Sequence, residues 1–187
     1  AGWGGLCGAA AGWGRGAGRQ VSQARRRSLR EIPALAAARG DTLPFIVYGD
    51  ETYGFQRSVE TANGVGHALR NDAGVVHGDR VAVLSQNNPA WCLTFWGTVT
   101  GGAVVVGLNG WWKTDEIVYG LQDSGAKVLV ADRQRFARIA DQLDEIPDLE
   151  VVYLASDCDP ADFVDAVGPA HPSKLRRFAE LTQTPTA

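Results

Sequence analysis

The sequence predicts an α/β fold in which a parallel sheet carries helices on both faces. Apolar runs of strand length occupy residues 80–84, 103–108, 127–131 and 150–154, and the uninterrupted run at residues 103–108 predicts a central parallel strand. Segments with apolar residues at helical spacing separate these runs, and Gly, Pro or Asn residues punctuate their ends. Strands that alternate with helices in this way pair in parallel through right-handed crossovers, which place helices on both sides of the sheet.

The bulk composition is that of a globular protein of one domain. The chain has 187 residues, of which 45% are hydrophobic and 21% charged, and its formal net charge is -3. This charge argues against a general affinity for nucleic acid, and no apolar run approaches the roughly 18 residues of a transmembrane segment. Cys7, Cys92 and Cys158 lie far apart without a CxxC pair. That spacing argues against disulfides or a zinc site and predicts a reducing, cytoplasmic location.

The two ends of the chain differ from its middle. Residues 1–27 are dominated by Gly and Ala and offer little apolar surface to bury, so we expect disorder there. A targeting peptide or an anion-binding arm built on the arginines of residues 25–27 is the functional alternative. We place an α/β domain at residues 28–155 and an irregular or short-helical tail at residues 156–187, with a last helix opening at Ser173. The absence of Met suggests a fragment or a translation with an uncertain start.

The first predicted elements are a short helix, a β-hairpin and a longer helix. Ser28 and Glu31 have capping-box spacing and would open a helix, although Pro33 could equally be its first residue. A Gly-Asp turn between β-prone residues predicts a hairpin over residues 45–53. Apolar residues at helical spacing predict an amphipathic helix over residues 55–70.

Local signals also bound the helices that connect the strands. Asn88, followed by Pro, is a predicted N-cap, and the glycine pair at residues 101–102 predicts the end of that helix. Thr114 opens the next helix, where the two acidic residues after it favour the positive end of the helix dipole. Asp132 is the predicted cap of a helix that runs to Leu143.

Motifs of common nucleotide and catalytic sites are absent from the sequence. The Gly-Val-Gly run at residues 64–66 has some similarity to a dinucleotide fingerprint, but it lacks the third small residue and lies within a helical pattern. No GxxxxGKS or GxxxxGKT loop, GxSxG elbow, HExxH pair or EF-hand pattern is present. We interpret the scattered His67, His77 and His171 as structural or solvated side chains.

Four tryptophans, Trp91, Trp96, Trp111 and Trp112, form the one unusual concentration of side chains. They can pack helices and loops against the sheet, because aromatic residues dominate core energetics. Alternatively, Trp111 and Trp112 lie in a loop after a strand and help to shape an apolar acyl pocket, because open α/β sheets bind ligands at the carboxyl ends of their strands. The sequence leaves both interpretations open.

Four blocks of the sequence, taken together, are specific to one family. They are GDRVAV from residue 78, NPAW from residue 88, GAVVVGLN from residue 102 and YGLQDSGAKVLVAD from residue 119. With these blocks the chain resembles the N-terminal portion of AMP-forming acyl-CoA synthetases, which belong to the adenylate-forming superfamily. The loop NGWW from residue 109 is most similar to that of bacterial fatty-acyl-CoA ligases. The resemblance implies that the α/β domain at residues 28–155 is a partial AMP-binding domain, and that its sheet is part of the large N-terminal domain of that fold.

The resemblance implies a two-step ligase that uses ATP, CoA and Mg²⁺. A fatty or other carboxylic acid attacks the α-phosphate of ATP to give an acyl-adenylate, and the CoA thiol then displaces AMP. The family's phosphate loop, acidic magnesium ligand, ribose-binding Asp and C-terminal-domain lysine find no match in this sequence. We therefore assign no catalytic, cofactor-binding or metal-ligating residue, and we expect this chain to bind none of the three cofactors tightly.

Three functions follow as hypotheses. The first is a section of an AMP-dependent fatty-acyl-CoA ligase that is inactive alone. The second is a non-catalytic module that binds a companion chain carrying the rest of the ligase, because a partial sheet leaves an edge uncovered. The third is an independent nucleotide-binding α/β domain, which the failed glycine fingerprint disfavours. None of the three includes a nucleic-acid partner or a transmembrane segment.

Overall fold

A computed structural model describes residues 13–16, 19–22, 28–155, 159–163, 165–167 and 171–182 of the chain. Its strands are β1 (Trp13–Gly16), β2 (Arg19–Ser22), β3 (Pro44–Tyr48), β4 (Glu51–Gly54), β5 (Arg80–Leu84), β6 (Val104–Gly107), β7 (Val128–Ala131), β8 (Val151–Leu154) and β9 (Leu175–Arg177). Its α-helices are α1 (Ile32–Ala37), α2 (Phe55–Asn71), α3 (Pro89–Gly101), α4 (Thr114–Ser124), α5 (Arg133–Phe136) and α6 (Phe178–Thr182). Short 3-10 helices occur at Leu29–Glu31, Ala140–Glu145, Pro160–Phe163 and Pro172–Lys174.

Strands β5 to β9 form one sheet in the spatial order β6-β5-β7-β8-β9, and each neighbouring pair is parallel. Val81 on β5 pairs with Val105 on β6 and with Val128 on β7. The β5 strand therefore has a neighbour on each side, and four of its five residues are buried. The predicted parallel sheet is confirmed.

Two hydrophobic clusters cover the two faces of this sheet. Val81 and Val128 pack with residues of α2 and α3. Ala82 and Leu129, one position further along each strand, pack with residues of α4 and α5. Because successive side chains of a strand point to opposite faces, this division places helices on both sides, as the sequence predicts.

Helices α2 and α3 approach each other closely through two glycines. A Cβ atom on Gly66 would lie 2.7 Å from the carbonyl oxygen of Gly97, and one on Gly97 would lie 2.6 Å from that of Ala62. The glycine run that has some similarity to a nucleotide fingerprint therefore serves helix packing. Gly102 ends α3 in the left-handed conformation, as predicted, with a φ of 87°.

The N-terminal elements match the predictions in part. Strands β3 and β4 form the expected antiparallel hairpin around Gly49, which has a φ of 57°. Ser28 accepts a hydrogen bond from the Arg30 amide, but the turn it opens is 3-10, and α1 follows with Pro33 in its first turn. Within residues 1–27, where we expect disorder, β1 and β2 pair as antiparallel strands. The remainder of that segment lies outside the described residues.

The position of β6 in the sheet differs from the predicted one. Residues 103–108 predict a central strand, yet β6 lies at the edge of the described sheet and pairs there with β5. Val104 is 48% exposed as a result. The apolar run is typical of a strand covered on both faces, but the chain crosses back past β5 after β6 and leaves this strand with one neighbour.

Two further elements, in the later part of the chain, differ from the predicted ones. Leu175–Arg177, expected within a last helix, forms β9, and α6 follows it. Leu175 is buried in the core beside β8, which explains the strand, because burial and pairing satisfy both its side chain and its backbone. The helix expected to reach Leu143 ends at Phe136 and is followed by a 3-10 helix, although Ile139 and Leu143 are both buried.

Candidate functional site

The order of the strands creates a crevice at the carboxyl ends of β5 and β7. From β5 the chain crosses to β6 on one side, and from β6 it crosses back to β7 on the other. Open α/β sheets bind ligands where successive connections diverge in this way. Ser85 follows β5, Leu108 follows β6 and Asp132 follows β7, so the loops that begin at these residues form the candidate site.

A cleft of about 740 Å³ lies at this edge of the sheet. This volume falls within the roughly 300–1,000 Å³ of small-molecule pockets. Its walls combine indole rings with amide, hydroxyl and guanidinium groups from Ser85, Gln86, Asn87, Trp91, residues 107–112, Gln134 and Arg135. The mixed lining suits a ligand that has both apolar and polar groups.

Asp132 ties the loops around the cleft together. Its Oδ2 atom accepts a hydrogen bond from the backbone amide of Gln86, at 2.8 Å, and from Nη1 of Arg135, at 2.7 Å. Its Oδ1 atom accepts a hydrogen bond from the Arg135 amide at 2.9 Å, which is the predicted cap of α5. Because Asp132 is only 2% exposed, these bonds replace the water that the carboxylate loses on burial.

Arg135 is held at the cleft wall by this carboxylate. Its side chain is 11% exposed, and its Nε atom is buried without a hydrogen-bond partner among the described residues. The guanidinium also packs against the backbone of Gly110, where a Cβ atom would lie 2.5 Å from Nε. Its charge is neutralised by Asp132, so the residue fixes the wall of the cleft rather than presenting a free cation.

A second arginine locks the tryptophan loop between β6 and α4. Nη1 of Arg138 donates hydrogen bonds to the carbonyl oxygens of Gly110, at 3.0 Å, and Trp112, at 2.8 Å. Thr114 in turn donates from its hydroxyl to the Arg138 carbonyl oxygen at 2.8 Å. Asn109 accepts a hydrogen bond from the Trp111 amide within the loop. The loop is therefore fixed at several backbone positions.

The two tryptophans of this loop have different environments. Trp111 is 86% exposed, with its ring at the open side of the cleft. Trp112 is partly buried and packs against the core, where its ring lies so close to Gly120 that a Cβ atom there would be 2.9 Å away. Both residues line the cleft, but Trp112 also has the packing role that the sequence left open.

The start of α3 forms the opposite wall of the cleft. Asn88 caps this helix as predicted, since its Oδ1 accepts from the Trp91 amide and its Nδ2 donates to the Ser85 hydroxyl, each at 2.9 Å. The ring of Trp91 stacks on that of Phe95, with centroids 5.9 Å apart. Burial raises the pKa of the neighbouring Cys92 thiol, so it stays protonated at neutral pH and is a poor nucleophile.

The three histidines do not contribute to this cleft. His67 hydrogen-bonds with Asn71 on α2, and His171 hydrogen-bonds with Asp144 at 2.7 Å. His77 packs against Gly102 at the end of α3. Within the part of the chain that the structure describes, no group of three or more His, Cys, Asp or Glu side chains is placed to hold a metal ion. In the same stretches, no helix is both long and apolar enough to cross a bilayer.

A parallel α/β sheet with a ligand-sized cleft at its switch point defines an α/β enzyme or binding domain. Residues 34–184 match the family model described as AMP-binding enzyme. The chain belongs to this family, and the predicted resemblance to adenylate-forming ligases is confirmed.

Two curated relatives are named as acid–CoA ligases. The chain is 27% identical over 150 residues to a medium/long-chain-fatty-acid–CoA/3-oxocholest-4-en-26-oate–CoA ligase of Mycobacterium marinum, a match that covers 76% of this chain and 27% of the relative. It is 31% identical over 111 residues to the benzoate–CoA ligase of Thauera aromatica, covering 58% of this chain and 21% of the relative. The chain thus spans about a quarter of the length of these relatives.

Solved structures of ligases share the fold. An anthranilate CoA ligase in complex with anthranoyl-AMP matches with a TM-score of 0.66 and 27% identity, over 70% of this chain and 25% of that one. A putative long-chain-fatty-acid CoA ligase from Rhodopseudomonas palustris matches with a TM-score of 0.70 and 22% identity, over 83% of this chain and 36% of that one. The sheet and its helices are therefore those of the N-terminal domain of adenylate-forming ligases.

Proposed function

We propose that this chain forms a scaffold section of an AMP-forming acid–CoA ligase and contributes one wall of its substrate site. The observation that carries the proposal is the cleft at the carboxyl ends of β5, β6 and β7, in a chain of the AMP-binding enzyme family. The relatives named for acid–CoA ligation support an organic acid as the substrate class. A fatty acid is favoured by the loop at residues 109–112.

The residues of the cleft do not fit a triphosphate or magnesium site by themselves. Arg135 is the one cationic side chain among the described residues that line it, and that charge is paired with Asp132. Phosphate loops present backbone amides and a free lysine, and the sequence has no such motif. We therefore derive no step of adenylation from this chain, and ATP, CoA and Mg²⁺ belong to the rest of the ligase.

The role of these residues is to hold the wall of the substrate site in place. Asp132, Arg135 and Arg138 fix the loops after β5, β6 and β7 relative to one another. A wall held by buried hydrogen bonds keeps its shape when substrate binds, and a preorganised site lowers the cost of orienting the reactants. On this proposal the 187 residues alone form no acyl-adenylate.

We further propose that Trp111 and Trp112 form part of the acyl-binding wall. The test is a chimera in which residues 34–184 replace the matching section of the Mycobacterium marinum ligase. We expect Trp111→Ala in the chimera to raise KM for a fatty acid several-fold while kcat changes little. Tyr119→Ala is the matched control, since Tyr119 is an aromatic side chain that is 65% exposed and does not line the cleft. Equal KM values in the two variants would contradict a role for Trp111 in binding.

The edge strand β6 supports a second candidate, a module that associates with a companion chain. Val104 on this strand is 48% exposed, and β6 pairs on one side only within the described sheet. Exposed, apolar edges of this kind invite pairing with another strand. Co-purification with a chain that carries the phosphate loop supports this candidate, and a monomer at micromolar concentration in the presence of such a chain contradicts it.

The cytoplasmic location likewise stays a proposal, resting on the cysteine spacing.

A further inference from the structure

A second concave surface is lined by residues other than those of the cleft. It is a groove of about 320 Å³ between α1, β3, α2 and α3. Its apolar side chains include Ile32, Leu35, Phe45, Phe55, Val59 and Trp96. It shares no lining residue with the cleft at the sheet edge, so we call it the α1 groove and treat it as a separate site.

The α1 groove lies in the region where exposed apolar side chains concentrate. Among the described residues, six of the ten exposed large hydrophobic side chains fall within residues 29–48. Leu35 is 50% exposed and Phe45 is 41% exposed, although both line the groove. The ring of Phe45 lies 4.9 Å from that of Phe55, which gives one wall an aromatic face. Exposed apolar side chains that line a groove mark a binding site.

One cation stands at the rim of the α1 groove. The guanidinium of Arg39 lies over the ring of Phe55, with Cζ 5.2 Å from the ring centroid. Within the described part of the chain, no carboxylate lies within salt-bridge distance of it. The nearby Asp41 accepts a hydrogen bond from the Arg57 amide at the start of α2, and Ser58 donates its hydroxyl to the Gly54 carbonyl oxygen. Arg39 is therefore the polar side chain of the groove left to bind a ligand.

We propose that the α1 groove binds a small anionic amphiphile, namely a medium-chain carboxylate. Its tail would lie among the apolar side chains, and its carboxylate would pair with Arg39. The groove volume is at the lower end of the roughly 300–1,000 Å³ of small-molecule pockets, which favours a short tail over a long one. A recess between four elements suits a single alkyl chain better than it suits a flat bilayer surface. The proposal does not depend on the ligase function, because it concerns a different site.

Calorimetric titration of the full chain with soluble carboxylates tests the proposal. Each buried methylene should tighten binding about fourfold, so decanoate should bind roughly tenfold or more tightly than octanoate. Arg39→Gln should weaken decanoate about two- to fivefold, as expected for an exposed ion pair, and should leave 1-decanol unchanged. Arg70→Gln is the matched control, because Arg70 is an exposed arginine on α2 that does not line the groove. Ala36→Phe fills the groove and should abolish binding, with circular dichroism as the check that the variant folds.

Four results would overturn the proposal. The first is an absence of saturable decanoate binding below its micelle concentration. The second is a lack of charge selectivity, seen either as decyltrimethylammonium binding as tightly as decanoate or as an Arg39→Gln variant that binds decanoate as the wild type does. The third is co-sedimentation with phosphatidylglycerol vesicles without binding of free decanoate, which would assign the surface to a membrane. The fourth is a dimer in sedimentation velocity that Ala36→Phe dissociates, which would assign the surface to a second copy of the chain.

Discussion

At the level of single residues, Asp132 does more than the helix cap expected of it. It also accepts a hydrogen bond from the backbone amide of Gln86, 46 positions earlier in the chain, and pairs with the nearly buried Arg135. Removing one partner of such a pair leaves an uncompensated charge in a poorly solvated place. The shape of the cleft therefore depends on an interaction whose loss should be costly.

We expect Asp132→Ala to lower the free energy of unfolding by about 3–5 kcal/mol, because Arg135 then loses its counter-charge. The double variant Asp132→Ala/Arg135→Ala should lose less than the sum of the single variants, with a coupling of about 1–3 kcal/mol in urea denaturation. Arg133→Ala is the control, since its pair with Asp162 is exposed and should contribute less than about 1 kcal/mol. Strict additivity of the two single variants would refute the coupling.

Asp79 gives the fold a pH dependence at acidic pH. Its carboxylate accepts a hydrogen bond from the Val76 amide, at 3.0 Å, and from Nζ of Lys127, at 3.1 Å, and is 8% exposed. The Val76 hydrogen bond and then Lys127 lower the pKa of Asp79 below its ordinary value despite its burial. A group with a lowered pKa stabilises the folded state above its unfolded pKa, about 3.9, and loses that contribution as the pH falls through the folded value.

Accordingly, Asp79→Asn should lower the free energy of unfolding at pH 7 by about 1.5–3 kcal/mol, the range for hydrogen bonds to charged groups. The difference from the wild type should shrink as the pH falls below about 4. Chemical denaturation as a function of pH measures it. Asp123→Asn, at an exposed position on α4, should show little difference at any pH. A gap between wild type and Asp79→Asn that stays constant down to pH 2 would rule out this origin.

At the level of elements, the contact between α2 and α3 explains why these helices contain glycines. Helix propensity alone would treat those glycines as destabilising. Gly66 and Gly97 allow the two backbones to approach within distances that no Cβ atom tolerates. Intrinsic propensity predicts a gain of about 1 kcal/mol when such a helix glycine becomes Ala. The close packing predicts a loss of stability instead, so the sign of the measured change distinguishes the two explanations.

We expect Gly66→Ala and Gly97→Ala each to lower the free energy of unfolding by about 1–3 kcal/mol, the usual cost of overpacking. Gly101→Ala is the matched control on α3, because its nearest contact would be 4.0 Å away. That substitution should be neutral or stabilising by up to about 1 kcal/mol. Thermal and urea denaturation of the three variants measure the difference. Stabilisation of all three would show that the close approach does not constrain these positions.

The order of elements was predictable from local signals, and their sheet positions were not. Caps at Asn88 and Asp132 and the stop at Gly102 depend on nearby backbone, so the sequence predicts them correctly. The edge position of β6 depends on the direction of a crossover, which apolar runs do not encode. The short segment of β9 is a strand only because Leu175 packs beside β8, a contact made across the fold.

At the level of the whole molecule, the family was predictable and the construction of the site was not. Sequence blocks such as NPAW and GAVVVGLN identify the ligase family, and the family model confirms this family over residues 34–184. The loop-locking role of Arg138 left no signal, because its hydrogen bonds reach backbone atoms 26 and 28 positions away. Tryptophan spacing indicated a loop that lines the cleft, but it did not distinguish the exposed Trp111 from the packed Trp112.

We propose that these residues supply scaffold and cleft wall, while the groups that bind triphosphate lie elsewhere in a complete ligase. ATP–pyrophosphate exchange by the purified 187-residue chain, with octanoate, palmitate and benzoate as substrates, tests it most directly. An intact relative such as the Mycobacterium marinum ligase serves as the positive control. We predict exchange at the background level for the chain alone. Substrate-dependent exchange above background, with acyl-AMP detected by mass spectrometry, would contradict the account.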